Sequence, residues 1–440
     1  MAFSLHGVRA PHRKNTANSS AVRLDPPKTV TIPMSMHIGA PAKPVVKVGD
    51  HVKVGTLIAE AGGAVSAPVH ASVSGKVVKM VDYLTSSGSI VPAIMIESDG
   101  EMTPDEALTP PSVDSREALI EAIKNAGIVG LGGAGFPTHF KLNVDPARIE
   151  HLIINCAECE PYVTSDTLTM LERGDDMATA IEALKTHMGI KHIVIGIESN
   201  KKQAIRAMMQ LMQNTCQGCR VDVKVLPSKY PQGGEKVLIY TTTGKVVPVG
   251  KLPIDVGCVV LNCTTLAAIG AYLKTGMPLV EKCVTVDGGA VKQPQNVIVP
   301  VGMAISDVFE ACGGLTQEPS KVIYGGPMMG VTAPDTSAPI MKNTNAVLAL
   351  TAKETKLPTT TPCIRCGSCT NTCPFGLAPA DIAKAYDQKD ADKLVKLSLS
   401  ACMECGCCSF ICPANRPLVQ TNKLAKAFLK EQNAKEGSKK

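Results

Sequence analysis

From residue 44 to residue 81 the chain reads PVVKVGDHVKVGTLIAEAGGAVSAPVHASVSGKVVKMV, in which short Val-rich runs alternate with Gly-Asp, Gly-Gly and Ser-Gly turns. Apolar alternation broken this often predicts a compact all-β unit. A different rhythm starts in VDSREALIEAIKNAG, where Leu119, Ile120, Ile123 and Ala126 recur at helical spacing, Asp114 and Glu117 stand in capping-box positions and Gly127 supplies a stop. Beyond it the apolar strands HLIINC, KHIVIGIES and GCVVLN alternate with helical stretches, one of them around residues 177–185. That alternation predicts an α/β domain with its ligand at the C-terminal ends of the strands. Residues 283–350 read as a strand pair with an Asp-Gly-Gly turn, a short helix over Ile305–Ala311 and a further strand. The polar, Pro-bearing TAKETKLPTTTP then reads as a linker, and APADIAKAYDQKDADKLVKLSLSA as helices. We expect four units: β over 1–110, α/β over 111–280, a β module over 281–350, and a helical unit with a basic tail over 351–440.

Composition narrows what these units do. At 440 residues the chain is too long for one ordinary core. With 3% aromatic residues and no Trp it lacks the stacking surface of a single-strand nucleic-acid binder, and the net charge of +6 owes part of its excess to a Lys-rich stretch over 423–440. No nucleic-acid partner is expected. The most apolar region, 256–273, is interrupted by Asn262, Thr264 and Thr265, so no direct membrane span is expected. The opening MAFSLHGVRAPHRK lacks the apolar segment of an export signal. Seventeen cysteines in a reducing compartment point to metal or redox chemistry and not to disulfides.

Eight of those cysteines form two copies of one pattern: Cys363-x2-Cys366-x2-Cys369-x3-Cys373-Pro374 and Cys402-x2-Cys405-x2-Cys408-x3-Cys412-Pro413. Three thiolates at this spacing wrap one [4Fe–4S] cubane, and the fourth, followed by Pro, ligates the neighbouring cluster. The expected ligand sets are Cys363, Cys366, Cys369 and Cys412 for one cluster, and Cys402, Cys405, Cys408 and Cys373 for the other. Paired zinc sites use C-x2-C couples and fit less well. Cys407 is spare and is expected to pack. Two further couples, Cys156/Cys159 and Cys216/Cys219, have the spacing of a third metal site.

The stretch GIVGLGGAGFPTHFKL over residues 127–142 contains Gly130-x-Gly132-x-x-Gly135. A Rossmann fingerprint needs a strand before this loop and a long helix after it. Here a helix precedes the glycines, Pro137 follows them, and 143–146 breaks the chain again, so the Rossmann reading fails. The glycines still permit close backbone approach to a phosphate or a flat ring, and Lys141 adds a cation. Further polar residues follow apolar strands: Asn155, Glu158 and Glu160 in NCAECEPY, Asn262 in LNCTTLA. Tyr230, Gly233, Gly234 and Glu235 in YPQGGE precede a helix.

The N-terminal unit resembles the barrel-sandwich hybrid of biotinyl and lipoyl domains in VGDHVKVGTLI and APVHASVSGKV. Its tip reads Ala67-Pro68-Val69-His70-Ala71, without the modifiable Lys, which implies a docking or scaffold role. GLGGAGFPTHFKL, NCAECEP, YPQGGE and LNCTTLA, in that order, are similar to the flavin-binding motifs of the FMN subunit of respiratory complex I, and residues 283–350 resemble the β-grasp SLBB module. With the paired cluster motifs, the chain resembles the C-subunit family of Rnf-type (Rsx) membrane electron-transport complexes.

That resemblance implies FMN contacts from Gly130, Gly132, Gly133, Lys141, Asn155, Glu158, Tyr230, Gly233 and Asn262. It places Glu160 and Glu235 by the nicotinamide of NAD(H) and Phe136 on the adenine. Leu131, Ala157, Gly234 and Leu261 depart from the complex I pattern. The implied activity is NAD(H):acceptor oxidoreduction, with FMN converting a two-electron hydride into single electrons for two [4Fe–4S] clusters. The implied partners are integral membrane subunits and an iron–sulfur, ferredoxin-accepting subunit, with the chain peripheral at the cytoplasmic face of the cell membrane. A soluble relative serving a proline- or cobalamin-reductase system, and a flavin-free iron–sulfur relay, are the alternatives.

Overall fold

The computed structural model describes residues 6–215 and 218–437. The N-terminal β unit is a sandwich of a four-stranded sheet, ordered Thr29–Pro33, Ile90–Ser98, Gly75–Leu84 and His51–Val52, and a three-stranded one of Lys43–Pro44, Leu57–Glu60 and Val69–His70. Val30, Ile32, Ile58, Val77, Ile94 and Ile96 fill the space between them.

The α/β domain holds a four-stranded parallel sheet in the order Arg220–Leu226, His192–Glu198, His151–Cys156, Cys258–Asn262. Its middle strands are apolar on both faces because both are covered. Leu152, Ile154, Ile193 and Ile195 pack under the helices Arg116–Asn125, Gly174–Met188 and Cys263–Thr275, while Ile153, Val194 and Val260 pack on the opposite side under Glu235–Thr243. The helix ahead of the glycine loop is capped one residue later than the sequence suggests. Ser115, not Asp114, is its N-cap, accepting from the Ala118 amide.

The third unit is a six-stranded mixed sheet ordered Val22–Arg23, Gln295–Pro300, Glu281–Asp287, Ala346–Leu350, Lys321–Tyr324 and Val331–Thr332, with the expected helix Ile305–Ala311 against it. Residues 22–23 therefore join this sheet, and the stretch before them lies along the α/β domain, so the chain enters the barrel only at Thr29. The linker begins with a helical turn, Ala352–Thr355, closed by a Thr351/Glu354 capping box.

In the last unit the two cysteine motifs repeat one backbone. Arg365 and Glu404, each just before a second cysteine, take φ of 57° and 60°, and Gly367 and Gly406 after it take 76° and 80°. Each motif then turns into a short helix, Ser368–Thr372 or Cys407–Phe410, and Pro379–Asp387, Ala391–Lys396 and Leu418–Gly437 complete the unit. No helix among the described residues is long and apolar enough to cross a membrane.

Candidate functional site

The C-terminal ends of the parallel strands carry two asparagines side by side, Asn155 pairing in register with Asn262. Asn262 caps the helix Cys263–Thr275: its Oδ1 accepts from the amides of Thr264 (2.9 Å) and Thr265 (3.2 Å), and its Nδ2 donates to Asp166 (2.8 Å). Asn155 donates to the Gly233 carbonyl at 2.9 Å and so ties the YPQGGE turn to the strand end. Gly233 has no room for a side chain there, since a Cβ would lie 2.4 Å from the Ala157 carbonyl oxygen.

The glycine loop closes on this edge. The Gly130 amide donates to the Phe136 carbonyl at 2.8 Å, and the Leu131 amide to Thr265 Oγ1 at 2.9 Å. The Leu131 side chain points into the core, while Gly132, Gly133 and Ala134 are exposed. Gly132 abuts Asn262, and Gly133 has open space where a Cβ would stand, so the loop offers bare backbone to a flat or anionic ligand. Lys141, on the short helix Thr138–Leu142, donates to Glu235 (2.6 Å) and to the Val260 carbonyl (3.1 Å). This half-exposed pair joins the glycine loop to the first residue of the helix Glu235–Thr243. The Phe136 and Phe140 rings meet edge to face, centroids 5.9 Å apart.

Glu158 and Glu160 are both turned away from the exposed loop. The Glu158 carboxylate is buried and accepts from the Asp166 amide (2.8 Å), Thr167 Oγ1 (2.6 Å) and Lys201 Nζ (2.7 Å). Burial raises its pKa, but Lys201 and Lys14 more than offset that and leave it below the usual value. Glu160 reaches the third unit, accepting from the amides of Met328 (3.0 Å) and Met329 (2.9 Å), and burial pushes its pKa up to about 7.

An N-terminal strap that sequence reasoning missed holds this region. Val8 and Tyr230 exchange two backbone hydrogen bonds of 2.9 Å, and Lys14 Nζ donates to the carbonyls of Glu158 (2.9 Å), Glu160 (2.8 Å) and Val163. Lys14 lies in the polar run HRKNTANSS, which reads as a solvated surface, so only the tertiary contact reveals it. Replacing it by Met strands three carbonyls, and we expect Lys14→Met to cost about 2–4 kcal/mol of stability. An unchanged melting temperature would contradict the pinning role.

The cysteine motifs dock directly beside this turn. Tyr230 is buried and its hydroxyl donates to the Cys405 carbonyl at 2.8 Å, while Met403 packs against Gly234. Cys373 lines one hollow together with Cys402, Cys405 and Cys408, although it belongs to the other motif. Burial raises the Cys373 thiol, the amides of Phe375 and Leu377 act against that, and Cys405 and Cys402 add to it. Cys407 lines the hollow as well, and the other four are the residues whose motif spacing suits a cubane. Cys412 and Cys369 both pack against the small core of Ala383, Cys408 and Leu418, and Cys363 and Cys366 lie exposed at the surface. Cys407 is buried against the Tyr230 carbonyl. Of the other couples, Cys156 is buried beside Cys263, Cys159 accepts from the Gly233 amide, and Cys216 lies outside the described residues.

Known proteins show the same series of units. A model of the RnfC barrel-sandwich hybrid domain matches residues 3–101, one of the Nuo51 FMN-binding domain 123–271, one of the SLBB domain 283–332, and one of the 4Fe-4S dicluster domain 357–413. The C subunit of the Na(+)-translocating ferredoxin:NAD(+) oxidoreductase complex of Acetobacterium woodii is 43% identical, covering 96% of this chain and 95% of the relative. The proton-translocating counterpart from Clostridium ljungdahlii is 42% identical over 86% and 82% of the two chains. The C subunit of the ion-translocating oxidoreductase complex of Rhodobacter capsulatus is 40% identical over 99% and 85%. Among solved structures, a chain of an NAD+-reducing [NiFe]-hydrogenase in the H2-reduced state aligns with a TM-score of 0.48 at 18% identity, over 72% of this chain and 61% of that one. At the identity of its curated relatives over nearly the whole length, with four matching domains in order, the chain belongs to the C-subunit family of Rnf-type ion-translocating oxidoreductase complexes.

Proposed function

We propose that this chain is the NAD(H)- and FMN-binding subunit of an ion-translocating ferredoxin:NAD oxidoreductase. In this reading it sits at the cytoplasmic face of the membrane on integral subunits and carries two [4Fe–4S] clusters. When bound, FMN supplies the conversion between a two-electron hydride and single electrons. The chain's own residues hold and orient the reactants. Gly132 and Gly133 present bare backbone, Gly130 closes the loop beneath them, and Asn155, Gly233 and Asn262 form the floor. Lys141 supplies a cation for the phosphate or for charge gained by the ring. Glu158 acts through Lys201 and the Asp166 amide, and Tyr230 through the turn it anchors. Glu235 orients the nicotinamide, Glu160 acts only through the Met328–Met329 turn it holds, and Phe136 covers the adenine.

One observation carries the reading: the Tyr230 hydroxyl meets the Cys405 carbonyl at 2.8 Å, so the flavin-site turn and a cluster motif share a contact. This contact supports an order as well as a pairing. The cluster of Cys373, Cys402, Cys405 and Cys408 is the inner one, and that of Cys363, Cys366, Cys369 and Cys412 the outer one.

The purified protein should release FMN on denaturation and reduce ferricyanide with NADH. Absence of both would refute the proposal. Lys141→Ala removes one charged hydrogen bond and should weaken flavin binding roughly tenfold to a hundredfold, with both clusters kept by electron paramagnetic resonance. Undiminished flavin content would show that Lys141 does not hold the cofactor.

A further inference from the structure

The repeat in the last unit sets Ile364 and Arg365, between Cys363 and Cys366, opposite Met403 and Glu404, between Cys402 and Cys405. The two positions are treated in opposite ways. Met403 is partly covered: it packs on Gly234, at the turn where the inner motif meets the flavin domain. Ile364 is 67% exposed, and every residue from 356 to 367 is exposed, including Leu357 at 81%. The segment 410–417 continues this surface, because the Thr361 amide donates to the Ala414 carbonyl and Asn415 Nδ2 to the Thr359 carbonyl. It adds exposed Phe410 and Ile411. At the equivalent of Ile411 the other motif has Thr372, which is buried. Together the two segments carry Lys356, Arg365 and Arg416 and no Asp or Glu.

We propose that this apolar, cationic collar around Cys363 and Cys366 is the docking surface for the acidic face of a one-electron carrier protein. The proposal rests on the electron-relay reading above. Its ground is the symmetry: the apolar residue inside the inner motif is partly buried by the domain with which that cluster exchanges electrons, whereas its outer counterpart is left open. A contiguous apolar patch rimmed by charges of one sign marks a protein interface, and the lone sign selects an acidic partner. Each encounter moves one electron and makes no bond. Two reduced carriers plus NAD+ and a proton give two oxidised carriers and NADH.

The test uses the whole protein with a reduced, acidic two-[4Fe–4S] ferredoxin of clostridial type as probe, following NADH formation. The double variant Arg365→Glu/Arg416→Glu should lower kcat/KM for the ferredoxin at least tenfold, and the wild-type rate should fall steeply with ionic strength. Ile364→Ser should lower it without changing the salt dependence. NADH:ferricyanide activity and the spectra of both clusters should stay at wild-type levels in all variants. Wild-type rates in the charge-reversed variant would overturn the docking proposal. So would faster exchange with basic cytochrome c than with the ferredoxin, or loss of binding to anionic phospholipid vesicles as the only defect. Absence of NADH:ferricyanide activity in the wild type would instead overturn the relay reading itself.

Discussion

Replacing Cys373 by Ser will remove the cluster of the motif to which Cys373 does not belong. Cys373 lines one hollow with Cys402, Cys405 and Cys408, and in the reading proposed above these four make up one cubane ligand set. Loss of one thiolate of four opens that cluster to solvent and oxidation, so iron content should fall by roughly half, from about eight to about four per chain. The lost signal should be that of the inner cluster, the one next to Tyr230 and Met403. Electron exchange with any protein acceptor should then collapse, because the outer cluster is cut off from the flavin site. Ferricyanide reduction by NADH should persist, since the glycine loop, Lys141 and Asn262 are untouched. Cys412→Ser is the mirror experiment and should remove the outer cluster; Cys412 and Cys369 of that set pack against the same small core. Retention of the inner cluster in Cys373→Ser, judged by Mössbauer and paramagnetic resonance spectra, would refute the exchange of ligands between motifs.

The iron–sulfur unit was legible in the sequence because its cysteine spacing is local, and a 4Fe-4S dicluster domain model matches residues 357–413. Three thiols within seven residues converge whatever surrounds them, and the displaced fourth is marked by Pro374 or Pro413. The α/β domain was legible for a similar reason: Leu152, Ile153 and Ile154 are consecutive apolar residues, which a strand tolerates only when covered on both faces. The carboxylates show where local reasoning stops. NCAECEP puts Glu158 and Glu160 at a strand end, but not that Lys201 and Lys14, from two distant segments, neutralise the first. Nor does it show that Met328 and Met329, 168 and 169 residues downstream, hold the second. Such partners arise from domain packing, and polar runs such as HRKNTANSS carry no periodicity that marks them.

Lys342 is the extreme case, and its removal should produce the largest loss of stability in the chain. It lies in MKNTN, an ordinary polar loop by its sequence, yet it is almost fully buried where three units meet. Its Nζ donates to the Pro68 carbonyl at the barrel tip and to the Gly127 carbonyl at the entrance to the glycine loop, each at 2.7 Å. Gly127 takes a φ of 63° there, and any Cβ would sit 2.6 Å from the Pro68 oxygen. Burial pulls the amine down to about 7, and His70 beside it down to about 3, so neither carries a full charge at neutral pH. A neutral amine has two N–H groups, and it meets two acceptors. Lys342→Ala would leave both carbonyls unsatisfied and a cavity where the stem ran, at a cost of roughly 3–5 kcal/mol. Lys342→Met keeps most of the volume and isolates the amine.

The pH dependence follows from the lowered pKa. Between about 7 and 10.5 the folded amine is neutral and the unfolded one protonated, so the unfolded state holds the extra proton and stability rises with pH. The contribution is complete above the unfolded value and is lost as pH falls through 7. The apparent stability of wild type relative to Lys342→Met should therefore climb by at most about 1.4 kcal/mol per pH unit between pH 7.5 and 9.5, in urea denaturation followed at each pH. Parallel curves for the two proteins would mean that the amine stays charged in the fold. Because Gly127 leads straight into the loop that ends at Phe136, the variants should also shed flavin before they unfold. That would make the unmodified barrel tip a structural support of the cofactor site, reached through one lysine of the neighbouring unit.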